Sequence, residues 1–244
     1  MLNENTINTL NALKLFGMAQ GLGQRINDPQ HAELSHAEFV GMLVEDERVY
    51  RENRRMTRLL KGAKLRIQSA ALEDVDYRHP RGLTKAAVRE LATTRWIEAR
   101  RNVLLTGPTG IGKTYLACAF GNMAARGGFT VLYQRAPRMF EALAQARADG
   151  SHLKLIERLG KARMLIVDDF LLTPLSAAER RDFLEIVEDR YGVGSTVVTS
   201  QCPVKGWHEA IGDPTLADAI LDRLVHNAYK FALHGPTIRK DSGA

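Results

Sequence analysis

Cysteine is scarce in this chain: two in 244 residues, Cys118 and Cys202, far apart and in no Cys-x-x-Cys pair. A zinc site is therefore not expected, and two scattered thiols suit a reducing compartment. Long apolar runs are missing too. The longest are about six residues, far short of the ~20 that a membrane-spanning helix needs. Residues Met1 to Gln20 contain no apolar core preceded by basic residues, so no signal peptide is expected. The seven histidines form no ligand cluster, and there is no internal repeat or low-complexity segment. These absences predict a soluble cytoplasmic protein without a membrane partner.

What is present is an ordinary globular balance, 45% hydrophobic and 25% charged residues, which predicts a sizeable buried core. The length suits one medium domain and a small one. Thirty-four basic against 28 acidic residues give a net charge of +6, a surplus that favours a polyanionic partner. Between Arg48 and Arg66 stand Arg48, Arg51, Arg54, Arg55, Arg58, Lys61, Lys64 and Arg66, opposed within the run only by Glu52. Arg51, Arg54, Arg55 and Arg58 are spaced to share one helix face. A charge run is ordinarily a solvated face, but this one-sidedness points to DNA phosphates. Arg48, Arg51, Arg54, Arg55, Arg58 and Lys61 are the candidate contacts. Tyr50 is the lone aromatic among them, so contact with a duplex backbone is favoured over stacking on single strands.

Residues 1–72 read as helical, with Leu10, Leu13, Phe16 and Gly17 at helical spacing, a turn at Asp28-Pro29, and a capping box at Ser35-x-x-Glu38. Residues 73–82 are irregular and mark the expected boundary between a helical domain, 1–72, and a second domain, 73–244. From there apolar strands alternate with helices. Strands are expected at 102–106, 130–134, 164–168, 195–200 and 229–233, and helices at 113–125, 137–148, 153–159, 176–191 and 216–225. That alternation predicts an α/β domain, a five-stranded parallel sheet flanked by helices. The fourth strand is expected between the first and the third.

Gly107-Pro108-Thr109-Gly110-Ile111-Gly112-Lys113-Thr114 fits G-x-x-x-x-G-K-[ST] between a strand and a helix. Glycines let backbone N–H groups converge on phosphate oxygens, and the helix start adds its positive end. Lys113 is expected on the β- and γ-phosphates of ATP and Thr114 on magnesium. The run Met164-Leu165-Ile166-Val167 ends in Asp168-Asp169. Two carboxylates closing a buried strand imply a chemical role. Asp168 is expected as the Mg2+ carboxylate, with Asp169 polarising the attacking water. A polar tip closes the fourth strand, where Thr199, Ser200 or Gln201 could sense the γ-phosphate; Ser200 is placed in the nucleotide set. Arg223, at a helix end, is a candidate arginine finger for a neighbour's γ-phosphate, against a surface ion pair with Asp222 or Asp218. Arg239 is a candidate phosphate sensor in cis. Trp207 reads as ordinary packing.

Three segments together resemble the IstB-like transposition helper ATPases: residues 104–114 with the Asp168-Asp169 strand end, residues 199–209, and above all residues 211–228, Ile-Gly-Asp-Pro-Thr-Leu-Ala-Asp-Ala-Ile-Leu-Asp-Arg-Leu-Val-His-Asn-Ala. The similarity covers essentially the whole chain, and DnaC-type helicase loaders share the ATPase core. The resemblance implies an AAA+ core of the initiator and loader branch without a C-terminal lid, which agrees with a chain ending soon after Arg239. It implies ATP and Mg2+ as cofactors, and assembly into a homo-oligomer on double-stranded DNA with ATP sites shared between subunits. It also implies target-site selection and stimulation of a cognate transposase. Carried onto these residues, Gly107 to Thr114 bind ATP, Asp168 and Asp169 serve magnesium and hydrolysis, Arg223 acts in trans and Arg239 in cis. One position departs from the pattern: such proteins usually carry an aromatic and then glycine after the two acids, and here Phe170 is followed by Leu171. The rival readings are a helicase loader, a small-molecule kinase, which has no use for the basic run, and a non-hydrolysing DNA-binding regulator, which intact Lys113, Asp168 and Asp169 argue against.

Overall fold

The computed structural model describes residues 2–31 and 33–238. The chain divides into two compact units, residues 1–58 and 59–244. The first contains α1 (Leu2–Ala12), α2 (Phe16–Arg25) and most of α3 (His36–Ala63). The expected first helix is two, because the chain turns at Lys14, whose φ is 60°. α2 lies close against α3: a Cβ on Gly17 would stand 2.5 Å from the Asp46 carbonyl oxygen and 2.6 Å from the Glu47 Cα. Glycine is the residue that permits this approach. The buried Glu47 carboxylate accepts from the backbone N–H groups of Gly17 (2.7 Å) and Met18 (3.2 Å), two of the unpaired donors at the start of α2. The capping box forms at Ser35 and Glu38, each accepting from the other's backbone N–H.

The second unit opens with α4 (Lys85–Ala92) and α5 (Arg95–Glu98). It continues through β1 (Asn102–Thr106), α6 (Lys113–Arg126), β2 (Val131–Arg135), α7 (Ala136–Asp149), α8 (His152–Lys161), β3 (Met164–Phe170) and α9 (Ala177–Arg190). It ends with β4 (Ser195–Ser200), α10 (Trp207–Ile211), α11 (Pro214–Val225) and β5 (Ala228–Ala232). All strand pairs are parallel, in the order β2-β3-β4-β1-β5, with β4 between β1 and β3 as expected. Among the described residues no helix follows β5.

Period-two alternation buries both sheet faces. Val103 and Leu105 of β1, Ile166 of β3 and Val197 of β4 face a core completed by α6 and α4. Leu104, Leu165, Val167 and Val198 face the other, completed by helices α7 to α11. The division between units falls at 58/59 rather than 72/73. Leu59, Leu60, Ala63, Leu65, Ile67, Ala70 and Leu72 pack into the first of these cores, so the apolar residues among the later cations belong to the second unit. Trp207 is fully buried, its indole N–H donating to the Cys202 carbonyl oxygen at 2.8 Å, which bears out its reading as packing.

β3 and β4 slip register between Val167 and Phe170. Asp169 (φ 59°) and Leu171 (φ 55°) both adopt the left-handed conformation there. Leu171 thus occupies, as leucine, the position where glycine is usual, and the turn forms at the steric cost of a Cβ.

Candidate nucleotide and metal site

The loop between β1 and α6 is shaped by three glycines with positive φ: Gly107 (145°), Gly110 (85°) and Gly112 (94°). None has room for a side chain. A Cβ would stand 2.3 Å from the Leu233 carbonyl oxygen, 2.0 Å from Thr237 Oγ1 and 2.6 Å from Arg81 Nη1, respectively. Ile111 is fully buried and anchors the loop to the core. Lys113 lies back across the loop, its Nζ donating to the carbonyl oxygens of Gly107 (2.7 Å) and Pro108 (2.8 Å).

Asp168 is fully buried at the end of β3 and is held from three sides. Thr114 Oγ1 lies 3.0 and 3.1 Å from its two oxygens, Thr199 Oγ1 donates at 2.6 Å, and the Tyr133 hydroxyl donates at 2.5 Å. Burial, together with the neighbouring Asp168 carboxylate, pushes the Tyr133 phenol far above its ordinary range, so it remains a donor. Asp169 turns the other way. Its N–H donates to Thr199 Oγ1 (3.0 Å), and its carboxylate accepts from Arg135 Nε (2.7 Å). That contact raises the Arg135 guanidinium above its usual value.

Beside these groups opens a cavity of about 500 Å³. Thr109, Gly110, Gly112, Lys113 and Thr114 line it with the strand-end residues Asp169 and Gln201, and Ile67, Val75, Tyr115 and Ile238 share the rest with Asp74, Asp76 and Arg81. Its size suits a nucleotide. The paired Thr114 hydroxyl and Asp168 carboxylate are the hard oxygen donors that Mg2+ takes. Among the described residues no group of three or more His, Cys, Asp or Glu side chains is placed to hold a metal ion, so a cation here would complete its shell with phosphate oxygens and water.

Of the three polar residues at the β4 tip, Ser200 is turned away. Its buried hydroxyl donates to the Phe170 carbonyl oxygen (2.7 Å) and accepts from the Cys202 N–H (3.1 Å). Thr199 holds the two aspartates, and Gln201 reaches the cavity. Arg223 lies at the opposite end of the sheet from the glycine loop: Asn102, which starts β1, donates to the Arg223 carbonyl oxygen at 3.1 Å. Its guanidinium contacts the Ala219 carbonyl oxygen (2.9 Å) and Glu188 (2.8 Å), rather than Asp222 or Asp218. Arg239 lies outside the described residues. In the first unit, Arg48 is paired with Glu45 and Glu52, Arg51 with Glu47, and Arg54 stands 5.8 Å over the Phe16 ring. The basic run is therefore partly neutralised by acids just before it. Arg55, Arg58 and Lys61 are exposed.

Tyr133, Arg135 and Arg81 are the site residues that sequence reasoning missed. Arg81 is buried at the cavity, donating to the Ile111 and Asp76 carbonyl oxygens at 3.1 Å each, with Nε unpartnered. Tyr133 and Arg135 alternate at the end of β2, beside the strand that bears the aspartates, and nothing in the sequence pattern paired those two strands.

A parallel sheet with this strand order, a glycine loop on β1 and an acid pair closing β3 define a P-loop nucleotide-binding protein with an AAA+ core. Among solved structures, the chain is similar to DnaI (22% identity, TM-score 0.57, covering 72% of this chain and 93% of that one). It is also similar to the DnaC helicase loader (19%, TM-score 0.53, 67% and 96%). The chain belongs to the family of IstB-like ATP binding proteins, whose model matches residues 8–243. A protein of Sinorhizobium fredii described as an insertion sequence ATP-binding protein is 49% identical over 241 residues, 99% of this chain and 98% of the relative. One of Pseudomonas aeruginosa, described likewise for insertion sequence IS21, is 33% identical over 230 residues, 94% and 86%. Among the described residues no helix is long and apolar enough to cross a membrane.

Proposed function

We propose that this protein is a magnesium-dependent ATPase that helps an insertion sequence transpose. In this reading it assembles on double-stranded DNA, takes part in choosing the target and stimulates a partner transposase. The observation that carries it is the bracket of Thr114 and buried Asp168 beside a glycine loop with no room for side chains. Lys113 would leave its two carbonyl contacts for the β- and γ-phosphates, Thr114 and Asp168 would hold the cation, and Asp169 would polarise the attacking water. Gln201, at the cavity, replaces Ser200 as the candidate γ-phosphate sensor. The bound Mg2+ would neutralise charge on the phosphates; everything else is positioning by this chain.

Arg223 is too far from its own loop to serve it and is assigned to a neighbour's nucleotide, which makes hydrolysis depend on assembly. The N-terminal helices, with Arg55, Arg58 and Lys61 on their surface, are assigned to the DNA backbone. The relatives described as insertion sequence proteins support this reading over a helicase loader, since the likeness to DnaI and DnaC is one of fold. A salt-dependent duplex-shift assay with and without ATP tests it. ATP-dependent duplex binding is expected, and a tight complex with a replicative helicase with no duplex binding would favour the loader.

A further inference from the structure

Arg81 is a buried cation at the nucleotide cavity that comes from outside the glycine loop. It stands shortly before α4 and is 4% exposed. Its carbonyl oxygen accepts from the His234 N–H at 3.2 Å, so the chain just past β5 fixes its backbone. The guanidinium lies on the loop itself. Nη1 donates to the Ile111 carbonyl oxygen at 3.1 Å, and a Cβ on Gly112, the residue before Lys113, would stand 2.6 Å from it. Among the described residues Arg81 pairs with no carboxylate: Asp76 gives its side chain to Arg78 at 3.2 Å and offers Nη2 of Arg81 a main-chain oxygen. Nε is sealed from solvent with no partner. Burial lowers the guanidinium below its usual value without discharging it.

A charge buried among neutral carbonyls carries a cost, and an unpaired buried donor adds to it. An anion brought into the cavity would reduce both. Lys113 is arranged alike, with Nζ on the carbonyl oxygens of Gly107 and Pro108. Two cations resting on main-chain oxygens beside one cavity can both serve a polyphosphate. A base or a ribose brings no charge to them, whereas phosphoryl oxygens accept from a guanidinium fork-wise.

We propose that Arg81 is a second cationic ligand of the nucleotide's phosphates, turning from the Ile111 and Asp76 carbonyl oxygens to phosphoryl oxygens beside Gly112. The proposal deepens the reading of the glycine loop as a triphosphate site and rests on it. Equilibrium binding of ATP and of GTP to the full chain with magnesium, over a range of salt, tests it, with thermal melting without nucleotide as the control for folding. Arg81→Gln removes the charge and keeps an amide donor for the loop carbonyl. It should lose about tenfold or more in ATP affinity and flatten the slope of log affinity against log salt. The preference for ATP over GTP should not change, because both carry the same phosphates. Arg81→Lys should keep the slope and recover most of the affinity. A folded Arg81→Gln protein with wild-type affinity overturns the proposal. So does a lower affinity with an unchanged slope, which would make Arg81 a strut for the loop, and so does an altered preference, which would place it on the base. If Arg81→Gln does not fold, Arg81→Lys decides: a loss as large as that of Lys113→Ala overturns the role of charge. If Lys113→Ala binds ATP like the wild type, the glycine-loop reading falls; if it loses affinity and Arg81→Gln does not, the Arg81 role alone falls.

Discussion

Asp168 is a carboxylate sealed from water and tolerated because three hydroxyls, from Thr114, Thr199 and Tyr133, satisfy it. Such outer partners orient a metal ligand as much as they stabilise it. Tyr133→Phe is therefore expected to raise the magnesium concentration for half-maximal turnover by about tenfold, with ATP affinity little changed; an unaltered magnesium dependence would reduce Tyr133 to packing. Arg190 is the other residue whose environment predicts its effect. It ties the carbonyl oxygens at the end of α8 to β4, and Arg190→Met would leave up to five buried acceptors unpaired. The expected loss is on the order of 3 kcal/mol or more in urea unfolding. Lys113 and Thr114 stood out at this scale because the glycine-loop spacing marks them, and Asp168 because it closes a buried apolar run. Tyr133, Arg135 and Arg81 were not, because they meet the site only through strand pairing and a loop return across tens of residues.

The strands were readable because parallel strands buried on both faces must be short, nearly continuous apolar runs, and all five lie within a residue or two of where that pattern places them. The helical segment was harder. Its cations dominate the text between Arg48 and Arg66, yet Leu59, Leu60, Ala63 and Leu65 among them are core residues of the ATPase unit, and Glu45 and Glu47, outside the run, pair with its first arginines. Two predictions belong to α3. Lys64 follows its last turn in the left-handed conformation, so Lys64→Gly should stabilise the protein by about 1 kcal/mol in chemical unfolding. Replacing Arg55, Arg58 and Lys61 with glutamine should weaken duplex binding regardless of sequence and reduce the slope of log affinity against log salt by about one per lost phosphate contact. An unchanged slope would move the DNA contact elsewhere.

For the whole molecule, the proposed function divides one activity between copies: the glycine loop with its acid pair lies at one end of the sheet, Arg223 at the other. Mixing Lys113→Ala with Arg223→Ala should therefore restore turnover that neither has alone, since each supplies what the other lacks; two inactive variants that remain inactive when mixed would argue that the sites are not shared. All of this depends on nucleotide binding at the loop. The most direct measurement is equilibrium binding of ATP with magnesium to the wild-type chain and to Lys113→Ala. Saturable one-to-one binding is expected, which the substitution weakens at least about a hundredfold while the melting temperature without nucleotide is preserved. Equal affinity in a folded Lys113→Ala protein, or no measurable affinity in the wild type, would contradict it.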